Sequence, residues 1–134
     1  MNWWSKIIST ITVGSTLKTP GRGIPATRQG TFTVNNVNPA WLIIESGQGQ
    51  IILEKICFEI VERTFTANPA IRLRVASLHD NVPFPDSVDK LIRDATGSNL
   101  ARGNYVSSIL VHCNLVKYAM NGRQKVIVLQ RDRK

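Results

Sequence analysis

RGNYVSSILVHCNLVKYAMNGRQKVIVLQ, residues 102–130, is the stretch on which the reading of the fold turns. Tyr105, Val106, Ile109, Leu110 and Cys113 recur at the three- and four-residue spacing that gathers side chains on one face of an α-helix. Asn114 is expected to end that helix, because Asn tolerates the left-handed backbone of a first non-helical residue, and Leu115 then folds back onto the last turn. Two strand-like runs follow, LVKYAM and RQKVIVLQ, joined at Asn121-Gly122. That dipeptide best satisfies the positive φ angles of a two-residue type I′ hairpin. Counting outward from it pairs Met120 with Arg123, Tyr118 with Lys125 and Val116 with Ile127 on one face. Ala119 with Gln124, Lys117 with Val126 and Leu115 with Val128 occupy the other.

The chain has 134 residues, 43% of them hydrophobic, which suits one folded domain. Within it, residues 1–66 form a β-meander-rich half and 67–134 a helix-and-hairpin half. No apolar run approaches the roughly 20 residues of a membrane span, and MNWWSKIISTI lacks the marks of a secretory leader. A cytoplasmic protein is expected, with Cys57 and Cys113 as unpaired, buried apolar residues. Charge is the strongest global signal: 17 Lys and Arg against 9 Asp and Glu, net +8, with a pI near 10.1. It is uneven, net +2 over residues 1–66 and net +6 over 67–134. Such a field concentrates polyanions without specifying a fold.

Toward the N-terminus, Trp3, Trp4, Ile7, Ile8 and Ile11 form one stripe if residues 3–11 are helical with Asn2 as cap, although IISTITV also suits a strand. The stripe either contacts a second subunit through Trp3, Trp4, Ile7 and Ile8 or folds back over the chain's own sheet. Residues 14–33 read as a loop broken by Pro20-Gly21 and Pro25, in which Gly21-Arg22-Gly23, with Lys18 and Arg28, offers a phosphate loop. TFTVNNV, AWLIIES and QIILEKICFEIV read as successive strands of an antiparallel meander or half-barrel in which Phe32, Val34, Trp41, Ile43, Ile51 and Leu53 compete for the inside. Near Lys55 the period becomes helical, through Ile56, Ile60, Val61 and Phe65 to Asn68-Pro69. AIRLRVASL is expected to be a strand with Arg72 and Arg74 on one side. SVDKLIRDAT is expected to be a helix capped by Asp86, buried along Val88, Leu91, Ile92 and Ala95, and stopped by Gly97. Residues 131–134 are expected to fray. The fold class is therefore α+β, a small antiparallel meander packed with helices and ending in a helix and a hairpin.

Catalytic chemistry has little support. His79 and His112 have no ligand partner at metal spacing, the cysteines form no C-x-x-C, and neighbours on a helix such as His112 and Cys113 point about 100° apart. His79-Asp80 is the sole candidate general base. No catalytic residue, cofactor or metal is assigned.

The order helix, loop, helix, turn, helix, hairpin across residues 56–130, carried by RGNYVSSILVHCN and the LVKYAM-NG-RQKVIVLQ hairpin, resembles winged-helix DNA-binding modules. In those modules the last helix enters the major groove and the hairpin wing touches the backbone. The resemblance implies that Asn104, Ser107 and Ser108 face the nucleic acid. The placement of charge, with Arg123 and Lys125 on one hairpin face, Arg102 at the helix start and Arg72 and Arg74 on one side of a strand, makes these five the expected phosphate contacts. More broadly, the chain looks like the small orphan proteins of mobile gene cassettes, many of which self-associate. The leading expectation is a non-enzymatic module that binds nucleic acid, DNA before RNA. The alternative is a homo-oligomeric interaction protein or small-ligand binder, and an enzyme using His79 and Asp80 comes last.

Overall fold

Helix α1, Trp3–Thr10, opens the computed structural model, which describes residues 2–47, 49–77 and 82–130. Asn2 caps it, its side-chain oxygen accepting from the Ser5 amide at 3.1 Å, so the helical reading of the terminus prevails over the strand. Its apolar stripe turns inward onto α2, Lys55–Ala67. Trp3 lies 6.0 Å from the Phe65 ring and Trp4 5.5 Å from Phe58, between centroids. Trp4 also donates its indole N–H to the Pro39 carbonyl at 2.9 Å. The oligomer contact expected of Trp3, Trp4, Ile7 and Ile8 is thereby corrected. Trp3, Trp4 and Ile7 are buried within their own chain and Ile8 is half-buried, because α2 offers the aromatic surface a partner would have supplied.

Strand β1, Thr16–Lys18, lies inside the expected loop; three residues are too few to show a period. It pairs with β2, Thr31–Val37, which pairs with β3, Trp41–Ser46, and then β4, Gly49–Glu54, so the meander runs antiparallel in chain order. Phe32, Val34 and Leu53 fill its inner face as the sequence implies. β3 has the opposite phase, burying Leu42 and Ile44 and leaving Trp41 41% exposed. WLII is apolar at every position, so alternation cannot decide its parity. A bulge decides it, with Val34 opposite Ile44 but Asn36 opposite Ile43. Helix α2 begins where the period changes. Burial pushes the Cys57 thiol, on α2, and the Cys113 thiol up to about 11, as befits two free cysteines used as packing.

The remaining elements are β5, Leu73–Arg74; α3, Val88–Thr96; α4, Gly103–His112; β6, Val116–Asn121; and β7, Gln124–Leu129. Ser87 caps α3 instead of Asp86, accepting from the Lys90 amide at 3.0 Å, while Asp86 turns away to pair with Arg74 at 3.2 Å. Asp89 and Arg93 take the buried positions expected of Leu91 and Ala95. Helix α4 ends as expected: Asn114 has φ 59°, and the Leu115 and Asn114 amides donate to the carbonyls of Leu110 and Val111, both at 3.0 Å. The hairpin needs one correction. Its closing pair is Asn121 with Gln124, so the turn residues are Gly122 and Arg123, and only Gly122 has positive φ, the pattern of a type II′ turn. Each partner moves by two residues, which leaves the faces unchanged: Tyr118 lies opposite Ile127 and Met120 opposite Lys125. β5 joins the outer side of β7, giving the order β5-β7-β6.

One buried cluster runs from Trp3 to Ile127 and draws on both halves of the chain. No described helix is long and apolar enough to cross a membrane. At the junction of α3 and α4, the fully buried Asp89 carboxylate caps a helix other than its own. Its Oδ1 accepts from the amides of Arg102 and Gly103 at 3.0 and 3.2 Å, and its Oδ2 pairs with Arg93 Nη2 at 2.7 Å. The helices meet so closely that a Cβ on Gly103 would stand 2.7 Å from the Asp89 nitrogen.

Two substitutions test this packing. Trp4→Ala should cost about 3–5 kcal/mol in urea unfolding with no change in mass by light scattering. Unchanged stability together with dissociation of a dimer would restore the oligomer contact. Gly103→Ala forces backbone against backbone and should cost about 1–3 kcal/mol. A wild-type denaturation midpoint for that variant would show that the α3–α4 junction is looser than described.

Candidate nucleic-acid interface

Helix α4 is enclosed on nearly all sides, and its sequence carries the reason. Between Gly103 and His112 only Asn104 and His112 are strongly polar, the pattern of a helix that packs all round. Ser107 donates to the Gly103 carbonyl at 2.7 Å, Ser108 donates to the Lys18 carbonyl of β1, and Tyr105 meets Phe32 edge-on at 5.2 Å. Ser107 and Ser108, expected to read bases, therefore face inward, Ser108 against β1 of the four-stranded sheet. Ser107 and Ser108 are corrected from nucleic-acid contacts to internal ones. Arg102 is corrected likewise. It is 3% exposed, donates to the Ile52 carbonyl at 2.8 Å and to Thr96 Oγ1 at 3.2 Å, and forms an ion pair with Glu54. The guanidinium is held through its Nη atoms, with Nε buried and without a hydrogen-bond partner among the described residues, so it supports α4 and does not face a phosphate.

Lys125 departs furthest from expectation. Its ammonium is buried, donating to the carbonyls of Pro20 and Gly23 at 2.6 and 2.9 Å, with the Tyr118 ring 4.3 Å away. Loss of water pushes its pKa down. The residue expected to touch phosphate fastens the 20–28 loop to the hairpin instead. Across that loop, Arg22 and Thr27 exchange backbone hydrogen bonds at 2.7 and 2.8 Å.

The fastened loop closes one side of a cleft of about 380 Å³. The other walls are residues 75–77 after β5 and Asn104 on the first turn of α4. Arg22 and Arg28 line it, both exposed, and Arg28 holds φ 57°, a conformation that costs a non-glycine residue energy and recurs where a side chain must be aimed. The Asn104 amide donates to Ser77 Oγ at 3.1 Å, while its side-chain oxygen is buried with no hydrogen-bond partner among the described residues. No carboxylate is found among the described lining residues. Arg22 and Arg28, from one loop, are thus brought together with Asn104, some 76 residues further along the chain.

The other expected cations are dispersed. Arg123 is exposed in the hairpin turn, and Arg72 reaches Asn121 beside that turn at 3.5 Å. Arg74 is neutralised by Asp86 and lies 4.5 Å over the Phe84 ring. Lys18 is exposed on β1 outside the cleft lining. His79-Asp80 and residues 131–134 lie outside the described residues, among which no group of side chains is arranged to hold a metal. No known protein family, curated protein or solved structure matches the chain.

If Lys125 holds the loop, Lys125→Met should leave a folded protein in which the Arg22 and Thr27 amides exchange with deuterium faster by about tenfold, about 1.4 kcal/mol of local stability. Unchanged exchange at both amides would mean that the loop holds itself.

Proposed function

We propose that the chain binds nucleic acid through backbone phosphates, using the cleft between the 20–28 loop and α4 together with the hairpin turn, without inserting a helix into the major groove. The observation that carries this reading is the convergence of Arg22 and Arg28 on a cleft with no carboxylate among its described lining residues. Net charge of +8 supports it by drawing polyanions toward the protein. Arg123, with Arg72 beside the turn, extends the basic surface to where a wing would touch a sugar-phosphate backbone. The order α2, β5, α3, α4, β6, β7 is the pattern on which the winged-helix resemblance rests. In this chain α4 packs inside, so phosphate contact takes the place of base readout and sequence preference is weak. DNA is the first partner to test.

The decisive measurement is affinity for random duplex and single-stranded DNA across a salt series. Arg22→Ser with Arg28→Ser should weaken binding to all sequences alike. The slope of log affinity against log salt should shallow by about 0.9 for each duplex phosphate that is no longer neutralised, or about 0.7 for each on a single strand. Arg63→Ser, on the exposed side of α2, serves as the control and should change little. Wild-type protein without salt-dependent affinity at about 50 mM salt, where phosphate contacts count most, would overturn the proposal.

A further inference from the structure

A second cavity, of about 460 Å³, shares the first turn of α4 with the cleft but has different walls. It opens between β4, the edge strand of its sheet, and residues 98–102. Much of its wall is apolar, and Ile52 and Leu100 are left 50% and 60% exposed where solvent meets it. Two polar groups in the lining have unused capacity. Glu54, 45% exposed at its side chain, gives Oε1 to Arg102 and the Cys57 thiol, and its Oε2 accepts from no side chain among the described residues. The Tyr105 phenol oxygen likewise meets no partner among them.

The sign of the site follows from what a ligand can reach. Arg102 also lines the cavity and is paired with Glu54, but it is 3% exposed against 45% for the Glu54 side chain, so the more accessible charge is the carboxylate. Burial works to raise the Glu54 pKa, but its own backbone amide and Arg102 outweigh it and hold the carboxyl below its usual range. Trp41 is not part of the cavity lining but stands directly opposite Glu54 in the β3–β4 register and is 41% exposed. Directly paired residues share a face with Cβ atoms about 4.5–5.5 Å apart, so an indole stands beside the anion. A carboxylate next to an aromatic face, above an apolar wall, is the chemistry that recognises an ammonium. The net charge of the protein does not oppose this at short range, because salt screens it beyond roughly 8–10 Å. An added peptide strand is disfavoured, since Arg102 already holds the Ile52 carbonyl of the edge strand at 2.8 Å.

We propose that this cavity binds a small organic amine, with its ammonium on Glu54 at the end of the cavity that Trp41 adjoins and its apolar body on Ile52 and Leu100. The full chain, labelled at Ile and Leu methyls, should be titrated by NMR with hexylamine, and separately with hexanoate and 1-hexanol. Hexylamine should give saturable shifts confined to Ile51, Ile52 and Leu100. Hexanoate and hexanol should bind weaker by roughly tenfold or more, the scale of one charge-assisted contact. Glu54→Gln should weaken hexylamine by a similar factor. Trp41→Leu, an exposed position that does not depend on the Arg102 pair, should weaken it by roughly threefold with no change in melting temperature. Arg22→Ser with Arg28→Ser should leave the titration unaltered, which separates this site from the nucleic-acid cleft. Equal shifts with hexanol or hexanoate, shifts spread over other methyls, or none up to about 10 mM would each overturn the proposal.

Discussion

The buried Asp89 carboxylate is the interaction on which the second half of the molecule depends. It is fully removed from water, yet its oxygens satisfy two amides at the start of α4 and the Arg93 guanidinium, so its charge is paired where an unpaired charge would be costly. Because the cap comes from α3, the angle and depth of α4 are set by a neighbouring helix and not by a local capping residue. Arg102, at the N-cap, is then directed toward Glu54 and Ile52, which ties α4 to the four-stranded sheet. A helix held at its start by one helix and covered along its face by a sheet has little surface left for a ligand. Only its first turn is shared by the two cavities.

How far the sequence could be read depended on whether the deciding interaction was local. The end of α4 was legible because Asn114 and Leu115 close it with the carbonyls of Leu110 and Val111, all within one turn. The start of α1 at Asn2, the stop of α3 at Gly97 and the change of period at Lys55 were legible for the same reason. The cap of α3 was not, since Asp86 and Ser87 are adjacent and equally suited. Arg74, from another element, drew the aspartate away. Nor was the phase of β3, which a bulge in β2 decides.

The site was less legible than the fold. Arg22 and Arg28 could be grouped in one loop from the sequence, but nothing in the spacing says that Asn104, on α4, would share a cleft with them. Lys125 and Arg102 were misjudged because a lone cation in an apolar stretch looks like a solvated charge until its acceptors are known, and those acceptors are carbonyls 102 and 50 residues away. A usable signal did exist for α4, whose ten residues carry almost no strongly polar side chains. The edge cavity escaped notice because its exposed apolar residues, Ile52 and Leu100, look like ordinary core in sequence.

The Lys125 bonds to Pro20 and Gly23 also bear on the order in which a nascent chain matures. The four-stranded sheet is synthesised before the hairpin, but the carbonyls that Lys125 gathers, like the Lys18 carbonyl that Ser108 meets 90 residues later, lack these partners until the chain has been extended through α4 and β7. Contacts of such long sequence separation close late and slow the final step. The sheet and the 20–28 loop therefore emerge from synthesis as an unfinished surface, which α4 and the hairpin later complete.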